Sequence, residues 1–549
     1  MRRLSCALAI TLSIAACGHT ASPVGRVRFV NEPPVWHVND RKDVPKPPKE
    51  IPFLRYTYHF DSYYLRTVKG LQLTRHRRAL GVNSLDEVPN STWFTNRIGV
   101  RNVTPDEIRE GPGPDSPDRH LPWTIKSGKF GGTAIGFICE DSRGVKFLLK
   151  FDSKNIPETE TATDAIVARI LWAAGYNVPA DHVVYFKRGD LKVAPDAYKK
   201  DQYDRKSKLD DKFVDDQLKE VQIGSDGQIR GIASIYIPGK PLGGMPRLGV
   251  RSDDVNDRIP HELRRDQRGQ APLFAWLSHT DVKEDNSLDA YQEDPKNKNL
   301  HYVVHYLLDF GNALGTDALV TKHPYVGFRY EIDPAATATT LLSFGLQREP
   351  WEFREPAPMK GVGMFSDKLY DPGTWKPNTM AQLPVIWADR FDQYWGSKIL
   401  IRFTREQLAA AIDAGRLSEP RAKAYLLDTL INRQRRTARY WFKKVNPVDE
   451  FAIDGRKLCF TDLALRHQLE TIPTRFTLSL YDANEVAVGT PMTIAPDPRG
   501  HACATVPLAD GANHYTIVRI ETSRGMPATL VHIATDAAGK ARVIGIHRL

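Results

Sequence analysis

The sequence predicts an α+β protein of two lobes, with an extension before them and a β-sandwich after them. Three observations carry this reading. Residues 121–190 place a glycine-bearing hairpin, a lysine-ended strand, a helix and another strand in direct succession. Helical spacing returns at 404–415 and 418–442. From about residue 446 the pattern changes to short alternating segments separated by DAN, DGAN and DAAGK turns. At 549 residues the chain has room for two or three domains, and 41% apolar residues suffice for a sizeable core, which excludes wholesale disorder. The formal charge of +10 is spread without a long Lys/Arg run. It reads as a solvated basic surface, and nucleic acid is not an expected partner.

The start, MRRLSCALAITLSIAACGHT, is processing sequence rather than fold. Arg2 and Arg3 form its positive end, and residues 4–16 form an apolar core too short to span a bilayer as a mature helix. The ending IAAC resembles the lipobox of bacterial lipoproteins. That resemblance implies removal of the leader, residues 1–17 being signal and lipobox, with acylation of the Cys17 thiol. The protein would then be held to a membrane of the cell envelope by its lipid. Gly18 follows, with no Asp, which points to the outer membrane, at its periplasmic face or the cell surface. A plain signal peptide ending near an incidental cysteine is the other reading.

Residues 18–50, with NEPPV and DVPKPPKEIP, read as a proline-rich tether, and 51–120 as a wrapping N-terminal extension. The small lobe is expected over 121–238. There FGGTAIGFICEDSRGVKFLLKFD gives two strands joined by the EDSRG turn, and the second strand ends in Lys150. PETETATDAIVARILWAA, 157–174, is a helix with acidic first turns, stopped by Gly175. VPADHVVYFKRG is the next strand. Residues 191–230 read as a charged surface helix or insert, and GIASIYIPG as the strand that leaves the lobe. The large helical lobe is expected over 239–443, opening with one helix over 261–279. Thr404 and Gln407 have capping-box spacing at the head of a later helix. The last domain spans 446–549. Of the five cysteines, Cys6 leaves with the leader and Cys17 carries lipid, so Cys459 and Cys503 are free to pair in an oxidising compartment. Cys139 reads as a small buried hydrophobe, and no Cys/His spacing suggests zinc.

The chemistry gathers in HTDVKEDN, 279–286, and in DFGN, 309–312. Phosphoryl transfer requires that phosphates be held, metal placed and the acceptor hydroxyl oriented. His279, Asp281 and Asn286 resemble the kinase catalytic loop H-R-D-x-x-x-x-N. The resemblance makes Asp281 the group that orients the acceptor proton and Asn286 a metal ligand, with Lys283 on the transferring phosphate. Thr280 stands where that pattern has arginine, which removes the usual partner of an activation-loop phosphate. Asp309, at the end of HYVVHYLLDFG, is the second metal ligand. Lys150 closes FLLK as the lysine closes V-A-I-K, where it grips the α- and β-phosphates and pairs with a helix glutamate. Glu160 is the choice for that glutamate, with Glu158 close behind, because helix phase alone does not separate them. In GKFGGTAIGF the glycines Gly128, Gly131, Gly132 and Gly136 leave backbone NH groups free for phosphates, or serve only a tight hairpin.

Together these segments are similar to the kinase-like superfamily over about 121–330, so the fold class is a bilobal protein-kinase-like fold. The atypical branch that includes HipA-like kinases looks nearer than the eukaryotic protein kinases, on FLLKFD…PETETATDAIVARILWAAGYNVP. IPHELRRDQRG…WLSHTDVKEDNSLD…LLDFGNALG also looks like uncharacterised bacterial lipoproteins, which supplies no substrate. The cofactors implied are ATP and Mg2+ or Mn2+, and the expected activity is transfer to a protein or sugar hydroxyl. Two rival readings stand beside it. One is a pseudokinase-like binding or envelope-assembly protein, favoured by the scarcity of ATP outside the cytoplasm. The other is AMP transfer on the same fold. Arg264, Arg265 and Arg268 are candidates for an anionic ligand or for packing between lobes.

Overall fold

The computed structural model describes residues 22–52, 55–65, 77–113, 115–129, 134–201, 203, 205–317, 323–380 and 382–549. Cys17 and the leader, and Gly131 and Gly132 of the glycine segment, lie outside the described residues. The architecture is mixed α+β, with several sheets and a set of packed helices.

The first sheet has seven strands in the order β4-β7-β3-β2-β1-β5-β6. Its centre is the expected hairpin: β2 (Gly136–Glu140) pairs antiparallel with β3 (Lys146–Lys150), and β1 (Trp123–Gly128) lies on the other side of β2. β7 (Gln228–Ile235) and β4 (Asp181–Lys187) complete one flank. The other flank is a correction. Residues expected as a charged surface insert form β5 (Leu191–Lys200), parallel to β1, and β6 (Lys206–Lys208), before a short helix, Asp211–Leu218. Leu191, Ala194 and Ala197 turn inward while lysines face out. Pro195 falls where the register against β1 skips between Val193 and Tyr198, so its missing N–H breaks no ladder bond. Cys139 is fully buried, and burial pushes its thiol up.

The helix Thr159–Ala174 is buried almost all round, which is why its sequence shows no clean polar stripe. Ala165 packs on Val183 and Ile232 of the sheet, while Ile166, Ile170 and Leu171 enter the core of the helical region. Asp152 caps its start by accepting from Glu158 N at 3.0 Å and Thr161 N at 2.9 Å. Gly175 ends it at φ 128°, where a Cβ would come within 2.3 Å of Phe94.

Behind the sheet, the expected single helix over 261–279 is three short pieces: His261–Leu263, Arg265–Arg268 and Gln270–Leu277. Arg264 leaves helical geometry, and the three arginines become buried ion-pair partners rather than ligands. Arg264 meets Asp266 at 2.8 Å, Arg265 meets Asp392 at 2.7 Å, and Arg268 meets Asp392 at 3.4 Å. β9 (Ser287–Glu293) and β10 (His301–Leu307) form an antiparallel hairpin, joined by β8 (Lys240–Pro241). The helices Arg390–Leu400, Arg405–Ala414 and Pro420–Phe442 supply most of the remaining core, and Thr404 and Gln407 make the expected capping box.

Residues 446–549 form two further sheets. β11 (Val448–Asp454), β12 (Lys457–Asp462) and β15 (His501–Thr505) make one. β14 (Met492–Ile494), β13 (Phe476–Asp482), β16 (Thr516–Thr522), β17 (Thr529–Thr535) and β18 (Ala541–Arg548) make the other. Phe460 and Leu458 of the first share a core with Phe476, Val518 and Ile533 of the second. Cys459 and Cys503 face each other across β12 and β15 and are joined by a disulfide of 2.10 Å. The bond consumes both thiols, so His501 beside them completes no metal site.

The N-terminal segment differs from a free tether. Residues 22–50 lie along the body: Phe29 packs edge-on to His532 at 4.9 Å, and Val44 N donates to His301 O at 2.8 Å. Asp40 is buried and accepts from Thr92 N at 2.7 Å. Prolines favour an extended backbone that needs no ladder partner, and such a strand can be laid on a surface as readily as it can span a gap. Further on, Trp93 stacks on His305 at 3.5 Å, and Phe94 meets Tyr176 and Trp395. Among the described residues no helix is long and apolar enough to cross a membrane.

Gly175→Ala tests the seat of Phe94 against the end of the helix. Both the positive φ and the steric overlap oppose a methyl group, so chemical denaturation should show a loss of about 2 kcal/mol or more.

Candidate functional site

Three segments converge on the Lys150 ammonium. β3 carries it at its C-terminal end, beside Gly136, its register partner on β2. A Cβ on Gly136 would lie 2.5 Å from Leu149 O, so this glycine is required by the close approach of two strands. Lys150 Nζ lies 2.6 Å from Asp164 Oδ2, 3.0 Å from Asp309 Oδ1 and 3.8 Å from Glu160 Oε1. Glu160 therefore faces the lysine, but its nearest helix partner is Asp164, one turn further along. Glu158 points elsewhere: it pairs with Lys360 at 2.7 Å and accepts from Ser418 N at 2.8 Å.

Asp164 also fixes the DFG segment, because its Oδ1 accepts from Phe310 N at 2.7 Å. Asp309 sits at φ 55°, a left-handed turn that swings its carboxylate toward Lys150. Gly311 leaves no room for a side chain, since a Cβ would lie 2.6 Å from Glu160 Cγ. Lys150, Glu160 and Asp164 are buried, whereas 53% of the Asp309 side chain is accessible, so the cluster opens to solvent through Asp309.

The electrostatics follow from three carboxylates around one buried cation. Burial opposes the Lys150 charge, but Asp164, Asp309 and Glu160 outweigh it and hold the ammonium well above its ordinary pKa. Lys150 holds the Asp309 carboxyl down at about 2. Burial pushes Glu160 up to about 8, with Asp164 and Asp309 adding to the rise. Asp164 is raised by burial too, and burial with Lys150 lowers nearby Lys129. Glu160, Asp164 and Asp309 bring carboxylate oxygens within 4.8 Å of one another, and Glu160 Oε2 is buried with no hydrogen-bond partner among the described residues. This donor set fits a divalent cation of the oxygen-binding class.

The 279–286 segment follows the helix Gln270–Leu277, which Ser278 ends in a left-handed turn. Lys283 Nζ lies 2.9 Å from Asp281 Oδ2, and Asn286 Nδ2 donates to Asp281 O at 2.7 Å and to Oδ2 at 3.1 Å. Burial works against the Lys283 charge, and Asp281 more than offsets it, leaving the ammonium raised. Leu308 N donates to Asn286 O at 2.9 Å, which ties this loop to the residue before Asp309. Asn312 Nδ2 donates to Asp281 Oδ2 at 3.3 Å, a contact the sequence reading missed although Asn312 directly follows DFG. The His279 ring is buried and meets Phe274 and Phe310 edge-on, with centroids at 4.9 and 5.9 Å, so it packs the loop against DFG. Gly128 ends β1 without crowding: the nearest atom to a Cβ there is 3.6 Å away.

No family model matches the chain, and no curated protein matches it. Among solved structures, the chain is similar to the Golgi casein kinase with Mn/ADP bound, with a TM-score of 0.28 and 12% identity over 61% of this chain and 73% of that one. It is similar to a second structure of the Golgi casein kinase, with a TM-score of 0.27 and 11% identity over 61% of this chain and 72% of that one. These scores are too low to carry weight.

The raised Glu160 pKa sets a pH dependence for the metal-free protein. A carboxyl at about 8 when folded, against an ordinary value of 4.5, binds more protons folded than unfolded between those limits. Stability should fall as pH rises from about 4.5 to 8, by up to about 5 kcal/mol from this group. Asp181, pushed up to about 8 by burial, adds to the same slope. Denaturation curves across this range should show a shallower fall for Glu160→Gln than for wild type.

Proposed function

We propose that this chain is a metal- and nucleotide-dependent phosphotransferase of bilobal protein-kinase-like fold, closed at its C-terminal end by a β-sandwich. It transfers the γ-phosphoryl group of ATP to a protein or glycan hydroxyl, and it belongs near the atypical, HipA-like branch. The observation that carries the reading is the meeting at Lys150 of Asp164, at 2.6 Å, and Asp309, at 3.0 Å. The lysine strand, the acidic helix and the DFG turn thereby share one cleft, and the Asp281 loop is bonded to the same turn through Asn286 and Asn312.

In this reading Lys150 grips the α- and β-phosphates while Asp309 and Glu160, with Asn286 nearby, hold Mg2+ or Mn2+. The metal supplies charge neutralisation to the phosphates. Asp281 accepts or orients the acceptor's proton, and its bonds from Lys283 and Asn286 fix its carboxylate. Lys283 offers its charge to the transferring group. The glycine segment that begins at Gly128 and ends at Gly136 is the part of the chain assigned to the phosphates in this reading. Acylation at Cys17 holds the protein in the cell envelope, on the outer membrane. The docked course of residues 22–50 then leaves only a short stretch between lipid and body.

The test separates binding from transfer. Mg2+ or Mn2+ with ATP should raise the melting temperature of wild type, and Asp309→Ala should abolish the rise. Asp281→Asn should keep the rise while lowering transfer by a factor of about a hundred to ten thousand. Label on the γ- or α-phosphate distinguishes phosphoryl from AMP transfer. Absence of any thermal shift with every nucleotide and metal would replace this reading by a binding scaffold.

A further inference from the structure

A second polar cavity lies beside the same helix, away from the Lys150 cluster. Arg169 follows Asp164 by five residues, which places it about 140° further round the helix axis. Its side chain lines an open cleft of ≈ 620 Å³, together with Arg109, Arg119, Arg416, His182 and Ser116. Arg169 is only 3% exposed, and among the described residues its guanidinium makes no ion pair. Nε donates to Arg109 O at 3.1 Å, and Nη1 has no partner among the described residues. Burial pulls this guanidinium down to about 10, with Asp181 only partly opposing the effect. The charge remains, and it is unpaired.

The groups around it repeat the pattern. His182 is 8% exposed with Nε2 unpartnered, and the Ser116 hydroxyl is buried and unpartnered as well. Burial and Arg169 hold the His182 imidazole at about 4, so it is neutral and offers hydrogen bonds rather than charge. Glu110, Asp118 and Asp413 also line the cleft, but two of the three are engaged. Asp118 pairs with Arg416 at 3.2 Å, and Asp413 pairs with Lys423 at 2.9 Å. Gly111 makes the seat, because a Cβ there would lie 2.4 Å from Arg169 Cδ.

A buried arginine whose burial is only partly offset, here by Asp181, is a cost to the fold in the absence of a ligand. The geometry points to an anion site at Arg169 that binds a phosphomonoester. The forked guanidinium suits paired phosphate oxygens, Ser116 and His182 supply further hydrogen bonds, and Arg119 and Arg416 add charge at the mouth. The cleft is larger than a phosphate group alone requires, so the organic part of the ester has room. This site requires neither the metal nor the nucleotide of the Lys150 cluster.

Titration calorimetry on the full chain, without divalent metal, tests the assignment with inorganic phosphate and O-phosphoserine, using serine and acetate as controls. Phosphate and O-phosphoserine should bind and serine should not. Arg169→Met should weaken binding about tenfold or more, the loss of one charge-assisted pair of hydrogen bonds. Asp309→Ala should leave binding unchanged, and ADP should not displace the phosphate. Because the empty site is a cost, Arg169→Met should melt no lower than wild type without phosphate, and phosphate should raise only the wild type. Binding that survives Arg169→Met, that is lost in Asp309→Ala, or that acetate matches would overturn the assignment. Should Arg169→Met fail to fold, unchanged phosphate affinity in the Arg119→Met/Arg416→Met double variant overturns it instead.

Discussion

The arrangement of the chain depends on one buried ammonium. Lys150 lies in a β-strand, Asp164 in the helix that follows, and Asp309 in a turn well over a hundred residues later. None of these elements is covalently constrained to meet the others. The lysine cannot be buried without counter-charge, and Asp164 cannot be buried without a cation, so each makes the other tolerable in a low-dielectric setting, while Asp309 adds its charge from the solvent side. The hydrogen bond from Phe310 N to Asp164 extends that dependence to the backbone of the DFG turn. Through Leu308 and Asn286 it reaches the Asp281 loop.

The Thr159–Ala174 helix makes this convergence rigid. A helix with one wet face can slide or rotate at small cost, whereas this one packs on strands β4 and β7 on one side and on the helical core on the other. Asp152 fixes its beginning, and Gly175, closed over by Phe94, fixes its end. The N-terminal segment thus takes part in positioning the site, since the ring that seats the helix end comes from well before the first sheet begins.

Much of this was legible in the sequence, and the failures have physical causes. The hairpin ending in Lys150, the helix after it, the strand before DFG and the C-terminal strands all announce themselves by turn residues and period. The Asp281, Lys283 and Asn286 spacing was readable because those side chains bond within one short loop. Asp164 was missed although it lies four residues after Glu160, the spacing that puts two side chains on one helix face. A helix buried all round has no polar stripe to mark which face matters. β5 was hidden by its polar residues, which alternate with the inward-facing Leu191, Ala194 and Ala197. Residues 22–50 read as a tether because proline reports extended backbone and says nothing about whether it is docked. The arginines of 264–268 found their partners in Asp266, near in sequence, and in Asp392, far away in it, and only the first kind of pairing is visible in a sequence.

Charge accounting also separates a site from a scaffold. A core that needed only to hold two lobes together would be served by apolar groups, because replacing a buried ionic cluster with well-packed hydrophobic side chains is often neutral or stabilising. Here three carboxylates crowd one lysine, one of them is pushed up to about 8, and one of its oxygens is left without a partner. A proton on Glu160 relieves the excess in the metal-free protein, and a divalent cation relieves it more completely. The Arg169 cleft carries the opposite imbalance, with a buried cation that makes no ion pair among the described residues. Two uncompensated charges of opposite sign on different faces of one helix are each a standing cost to the fold. The ligands proposed above, a metal ion at one and a phosphate group at the other, carry the complementary charge.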